Sequence, residues 1–353
     1  MRIGIDAREL SGTPTGVGRY LAGLLREWTA SQHQHGHDLV LYAHRPLDFG
    51  TGCDVRVLPG SGGTSWEQRT LPAAIAGDRL DILFSPAYST PLLTRVPRVV
   101  ALHDISFVAR PDWFRWREGV RRRWLARRSA AAARAVVTIS EFSKREIVER
   151  MRVDPGHVHV IPPGIDAPPA ATAGTGAHVL YVGSIFNRRH IPDLIAAFSI
   201  VASRHADAHL HLVGDDRSFP SEHVGALVAR SPHAARIHWH RYIPDAELQT
   251  LYSQARAFAF LSEYEGLGLT PMEAIAAGIP ALLLDTAVAR ESCGDAALYV
   301  ARGAIGETAS RLELLLYDEA TRARLLAEAP RALGRYDWAR AGRDTLRLLE
   351  SVA

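Results

Sequence analysis

The chain has 353 residues, with 41 Lys and Arg against 38 Asp and Glu and only two cysteines, Cys53 and Cys293. That length supports two domains with separate cores, and so small a basic excess argues against general nucleic-acid binding. Two distant cysteines outside any Cys-x-x-Cys spacing argue against a disulfide framework or a thiolate metal site and suit a reducing cytoplasm; the start MRIGIDARE has no apolar signal core, and no apolar run is long enough to cross a bilayer.

Arg2–Asp6 reads as a short strand that runs into a loop, SGTPTGVGRYLAGLL, where Gly12, Gly16 and Gly18 are followed by Leu21, Leu24, Leu25 and Trp28 at helical spacing. A glycine-rich turn between a first strand and first helix lets backbone approach a ligand closely. Further strands are predicted at Asp38–Ala43, Asp54–Leu58, Asp81–Ser85, Val99–His103 and Ala135–Ser140, with helical stretches between several of them. This alternation predicts an α/β fold with a parallel sheet covered on both faces and a ligand crevice beyond the carboxyl ends of its strands. The loop after Asp6, the His103-Asp104 pair and Ser140 occupy such ends. The residues leave two readings of His103: a hydrogen-bonding group in the crevice, or a packed histidine holding the next turn.

The stretch Arg110–Arg128 is basic and places Trp113, Trp116, Val120 and Trp124 at helical spacing. Either the tryptophans pack on the sheet while arginines point to water, or the face rests peripherally on an anionic membrane or a lipid-linked acceptor. The histidines of HQHGH, His33 to His37, read as a solvated turn. The pairs His157/His159, His209/His211 and His238/His240 put both rings on one face of a strand, but none has a third ligand at a recognisable spacing, so no metal is assigned. The uncharged run Ala167–Gly176, APPAATAGTG, reads as a linker. After it AHVLYVG opens a second strand series that continues through HLHLVGD, RIHWH, AFAFLS and ALLLD, and the chain closes on a helix, Trp338–Leu349. The domains are therefore expected at 1–167 and 177–335, joined by a linker at 168–176 and followed by a final segment, 336–353.

The most informative stretch is AFAFLSEYEGLGLTPMEAIAAGIPA, Ala257 to Ala281. It reads as a buried strand, a loop bearing Gly266 and Gly268, and a helix whose first residue is Pro271. Unpaired N–H groups and the positive end of a helix dipole favour an anion there, typically phosphate. Glu265 and Glu273 bracket the loop. They suit hydroxyl groups at the two ends of a diphosphate ligand, such as a nucleotide sugar; the other reading is a solvated loop residue and a helix-dipole partner. Earlier, Gly183 ends a strand and Arg188-Arg189 stands at the entry to the helix IPDLIAAFSIVASR, where guanidinium groups can neutralise a diphosphate.

SEYEGLGLTPMEAIAAGIP resembles the signature of retaining glycosyltransferases of family 4, enzymes of the two-domain GT-B fold, with Leu267 where Phe is common and Arg189 where Lys is common. The resemblance runs over nearly the whole chain, strongest from Val179 to Val300, and implies two Rossmann-like doubly wound parallel-sheet domains facing across a cleft. The final helix would cross back to the first domain. It implies a nucleotide-sugar donor, a glycan or lipid-linked acceptor and no metal or other cofactor. Carried onto this chain, it makes His103 and Glu265 the catalytic candidates. Gly16, Arg188, Arg189, Leu269 and Thr270 would hold the donor diphosphate; Glu273 the ribose; Asp104, Gly266, Leu267 and Gly268 the sugar; and Tyr242 and Ile243 the base. The string GTPTGVGRY and the His-Asp pair look most like mannosyl-transferring members, in cell-surface glycan or glycolipid assembly. A nucleotide-sugar epimerase and a non-catalytic nucleotide-sugar binder are the alternatives.

Overall fold

The computed structural model describes residues 1–12, 16–31, 35–47, 52–168, 170 and 176–353; Thr13 to Thr15 of the first glycine loop, His33 and most of the expected linker lie outside them. The chain divides into two compact units, Met1–Gly164 with Tyr336–Ala353, and Ile165–Arg335.

The first unit is a seven-stranded sheet built from β1 (Arg2–Asp6), β2 (Asp38–Ala43), β3 (Asp54–Val57), β4 (Ile82–Ser85), β5 (Arg98–Ala101), β6 (Ala135–Thr138) and β7 (Val158–Val160), in the order β3-β2-β1-β4-β5-β6-β7. Every pairing is parallel. The order reverses at β1, which opens a crevice beside its carboxyl end. β5 ends at Ala101, two residues before the predicted end at His103, because the chain turns into a loop that the Asp104 carboxylate closes by accepting the Ser106 N–H. β6 likewise stops at Thr138, and Ser140 becomes the N-cap of α3, accepting the Ser143 N–H at 3.0 Å.

The helices of this unit that matter below are α1 (Gly16–Ala30), α2 (Trp116–Ala132) and α3 (Glu141–Met151). α2 buries Leu125 and the small residues Gly119, Ala126, Ser129 and Ala130, which let the helix lie close. Its tryptophans therefore point the other way: Trp116 is 76% exposed and Trp124 53%, with Val120 also in water. The expectation that they pack on the sheet does not hold.

The second unit has six parallel strands, β8 (Ala177–Val182), β9 (Ala208–Val213), β10 (Ile237–His240), β11 (Ala255–Phe260), β12 (Ala281–Leu284) and β13 (Ala297–Val300). Their order, β10-β9-β8-β11-β12-β13, reverses between β8 and β11. Its main helices are α4 (Ile191–Arg204), α5 (Leu269–Ala276) and α6 (Ile305–Tyr317), with α6 packed along α4.

The last helix, α7 (Trp338–Val352), belongs to the first unit and packs on α1. A Cβ on Gly23 would lie 2.5 Å from the Trp338 ring, and one on Gly164 would also strike it, so two glycines make the slot for that indole. Trp28 Nε1 donates to the Gly342 carbonyl at 3.0 Å, and His37 Nε2 meets Glu350 Oε1 at 2.8 Å.

The histidine pairs of the second unit form a ladder across β8, β9 and β10. His178 Nδ1 lies 3.1 Å from His211 Nε2 and His209 Nδ1 lies 3.2 Å from His238 Nε2, while the His211 ring stacks on His238 at 4.7 Å and lies 6.0 Å from His240. Such a contact needs one N–H and one bare nitrogen, so at least one ring of each pair is neutral. Among the described residues no group of three or more His, Cys, Asp or Glu is arranged to hold a metal ion.

Burial, then repulsion from neighbouring rings, pushes His211 down to about 3 and lowers His178 and His238. Each folded value lies below the unfolded value of about 6.5. The unfolded chain therefore takes up more protons as the pH falls through about 6.5, and stability is lost in that direction. Urea unfolding followed in the second unit is expected to show a loss of roughly 1 kcal/mol between pH 7 and 5 after solvent screening, and His211→Asn should shrink that difference. In the first unit, Gly23→Val should displace the Trp338 ring and cost about 1–3 kcal/mol by overpacking, read as a lower urea midpoint.

Candidate functional site

In the second unit the strand ends at the switch point converge on one loop. Gly183 follows β8 with φ +144°, and a Cβ there would lie 2.5 Å from Arg189 Nη1. Gly214, after β9, has φ +149°, and a Cβ on it would press on the Gly183 carbonyl. Both positions need glycine because backbone and guanidinium approach too closely for a side chain. Arg189 closes the 3-10 turn Asn187–Arg189 that leads into α4. Across from it, β11 runs into the loop Leu261 to Gly268.

Arg189 reaches that loop. Its Nε and Nη2 each lie 3.1 Å from Glu265 Oε1, its Nη1 donates to the Ser184 carbonyl at 2.7 Å, and its guanidinium lies 4.8 Å over the Phe260 ring. Ser262 Oγ donates to the same Glu265 oxygen at 2.7 Å. Burial alone raises a carboxyl pKa, yet the Arg189 charge, the Arg188 charge and the hydrogen bonds outweigh it and hold Glu265 below the usual carboxylate range. Glu265 is thus a largely enclosed, ionised acceptor at neutral pH, its side chain 16% exposed, and not a solvated loop residue. A cavity of about 20 Å³ adjoins it, lined by Ser262, Glu265, Leu267 and Pro271 among others.

Gly268, with φ +88°, caps α5, so the helix starts at Leu269 and Pro271 is its third residue, not its first. The Leu269 and Thr270 N–H groups belong to the opening turn, where no intrahelical acceptor exists for them. Glu273 lies one turn further in and is only 5% exposed, outside the first turn that the helix-dipole reading of it requires. Leu267 is buried and anchors the loop between Gly266 and Gly268. Arg188 lies against the Phe186 ring at 4.3 Å, and its carbonyl accepts the Glu263 N–H at 2.9 Å. The arrangement thus gathers Arg188, Arg189, Glu265 and the α5 N-terminus at one strand end. Tyr242 and Ile243 follow β10, at the far edge of the sheet, Tyr242 exposed and Ile243 buried.

Two groups here escaped sequence reasoning. Ser262, three residues before Glu265, is a first; the Ser-x-x-Glu spacing was its available signal. The other is a second clamp on the loop, in which Glu263 Oε2 meets His190 Nε2 at 3.0 Å and Arg302 Nη1 at 3.1 Å. Arg302 comes from beyond β13, so no local pattern announces it.

In the first unit, His103 Nε2 lies 2.9 Å from the Pro86 carbonyl, and the ring edge meets Tyr20 at 4.4 Å. A carbonyl only accepts, so Nε2 carries the proton and Nδ1 is an acceptor. Burial pushes His103 down to about 4, so the ring is neutral at physiological pH. Its own carbonyl accepts from Ser143 Oγ at 3.0 Å. Asp104 caps the following turn through Ser106. Gly16 opens α1, and among the described residues a Cβ placed on it would meet no atom within 4 Å. At the β1 end Arg8 bridges Asp6, at 3.2 Å, and Glu67, and Ser89 Oγ donates to Glu67 at 2.6 Å; burial raises Asp6 to about 6.

Residues 14–167 match the model of Glycosyltransferase Family 4, and residues 167–332 match that of Glycosyl transferases group 1. The O-antigen chain mannosyltransferase B of Escherichia coli is 25% identical over 251 residues, covering 65% of this chain and 65% of the relative. Mannosylfructose-phosphate synthase of Agrobacterium fabrum is 27% identical over 146 residues, covering 36% of this chain and 32% of the relative. The chain thus aligns with less than two thirds of the length of either. The crystal structure of Anabaena Alr3699/HepE in complex with UDP and glucose superposes with a TM-score of 0.76 at 17% identity, over 99% of each chain. Two parallel Rossmann-like sheets and two adjoining family matches lead to one assignment: the chain belongs to the family 4 glycosyltransferases of the GT-B architecture.

Proposed function

We propose that the chain transfers a hexose, with mannose the first to test, from a nucleoside diphosphate sugar to an acceptor hydroxyl, with retention of anomeric configuration and without a metal ion. The observation that carries this reading is the largely enclosed Arg189–Glu265 pair beside the Gly268-capped start of α5. An ionised carboxylate fixed by an internal cation accepts hydrogen bonds from sugar hydroxyls without having to be desolvated when the ligand arrives. The mannosyltransferase relatives support the donor sugar, and the UDP complex of the structural neighbour supports a nucleotide donor.

In the proposed step the bond from the anomeric carbon to the diphosphate oxygen breaks and its electron pair leaves with the diphosphate. The acceptor oxygen bonds to the anomeric carbon on the same face, and its proton passes to a leaving phosphate oxygen. Arg188 and the Leu269 and Thr270 N–H groups stabilise the growing negative charge, a role for preorganised donors that in such sites is large. Because Arg189 gives three nitrogens to internal partners, its part is to position and charge-balance Glu265, with a secondary contribution to the diphosphate. Gly16 lines the diphosphate or acceptor. Glu273 takes the ribose, Gly266 to Gly268 and Asp104 the sugar, and Tyr242 and Ile243 the base. His103, neutral, offers Nδ1 as an acceptor for a sugar hydroxyl.

No helix among the described residues is long and apolar enough to cross a membrane. The exposed, arginine-flanked tryptophan face of α2 supports a peripheral contact with the anionic inner face of a membrane, the acceptor being a glycan or a lipid-linked glycan in cell-surface assembly.

A panel of nucleoside diphosphate sugars assayed for slow hydrolysis, then transfer, is expected to show turnover with one donor that survives a chelator. Binding without turnover would make the chain a non-catalytic receptor, and interconversion of the sugar without acceptor an epimerase. Glu265→Gln should lower kcat about 10²–10³-fold, while Glu273→Ala should mainly raise KM, by about 10–100-fold. Arg189→Met leaves Glu265 buried without its counter-charge and should move the acid limb of the pH–rate profile upward; an unmoved profile would contradict the positioning role.

A further inference from the structure

Beside α2 the first unit has a groove of about 610 Å³. Leu92, Leu125, Ala131 and Ala132 line it together with Leu93, 83% exposed, and Trp124. Its uncharged polar residues, Gln68 and Thr64, already have partners. Gln68 donates to Glu67 at 2.8 Å and to the Thr90 carbonyl at 3.0 Å and accepts the Leu92 N–H at 3.0 Å, and the Thr64 hydroxyl takes a hydrogen bond from Arg121. Arg128, its guanidinium 5.9 Å over the Trp124 ring, is the one charged residue of the lining, which contains no carboxylate. α2 itself carries six arginines against the single Glu118.

An apolar slot with cations at its mouth suits an anionic amphiphile. A peptide segment would bring a row of backbone N–H and C=O groups for which the mostly apolar walls offer few partners; a hydrocarbon chain brings none. We propose that this groove takes up one acyl chain of an anionic phospholipid, with the headgroup held by the arginines of α2. The inference rests on the reading that α2 meets a membrane, and it adds that the contact depends on chain insertion as well as surface charge.

Two measurements on the full chain separate these claims. Co-sedimentation with phosphatidylcholine vesicles, with and without phosphatidylglycerol, tests the surface contact; titration with monomeric lysophosphatidylglycerols of increasing chain length tests the groove. Wild-type affinity is expected to rise about fourfold per added methylene until the groove is filled. Ala131→Trp, which fills the slot from an exposed helix position, should abolish that dependence while leaving donor hydrolysis unchanged. Leu93→Asp, outside the helix, should do the same and serves if the first variant fails to fold. Retention on anionic vesicles with no dependence on chain length, or with full dependence kept in a folded variant, would overturn the groove alone. No retention of the wild type on anionic vesicles would overturn the membrane contact and the groove together, leaving the proposed transfer activity untouched.

Discussion

A carboxylate kept ionised inside protein is the constraint on which the second unit is built. Moving Glu265 out of water favours its neutral form, and the Arg189 charge at contact distance, helped by Arg188 and by the Ser262 hydrogen bond, reverses that preference. Such a pair adds little to stability, because the desolvation of both ions offsets most of their attraction. Its value is in geometry. The Arg189 fork and Ser262 converge on one carboxylate oxygen, so the direction of the group is fixed before any ligand binds.

Several features of the unit follow from placing that guanidinium. Gly183 and Gly214 are stripped of side chains where Arg189 and the backbone crowd together, and Phe260, the last residue of β11, provides the face over which the guanidinium lies. The loop carrying Glu265 is held a second time by the contact of Glu263 with His190 and Arg302. These restraints meet where β8 and β11 lie side by side and the strand order reverses, the position at which a doubly wound sheet leaves a crevice at its strand ends. In the first unit the β1 end carries its own Arg8–Asp6 pair, and beyond β5 a neutral His103 has its proton committed to a backbone carbonyl and its other nitrogen left as an acceptor.

Most of the architecture was legible in the sequence, since apolar strands alternating with helices report directly on a parallel sheet covered on both faces. The loop around Glu265 was legible too, because glycine, proline and acid residues in that order have few other uses. What could not be read was which partner each charge would choose. Arg188 and Arg189 look alike as neighbours in a chain, yet the turn Asn187–Arg189 sends one inward to Glu265 and leaves the other against Phe186. The tryptophan stripe of α2 failed for a related reason: hydrophobic spacing marks an apolar face but not whether protein covers it, and here small residues, Gly119, Ala126 and Ala130, took the packed side. The start of α5 was misplaced by two residues because Pro271 is tolerated anywhere in the first turn, and the left-handed Gly268 sets the boundary.

The claim that Arg189 keeps Glu265 charged is tested most directly by following the Glu265 side-chain carboxyl carbon by NMR as the pH is lowered, in the wild type and in a variant with a neutral residue at position 189. The account predicts a wild-type midpoint below the usual glutamate range and a variant midpoint well above it. A wild-type carboxyl that titrates at or above the ordinary glutamate value, or a midpoint indifferent to the loss of Arg189, would contradict it.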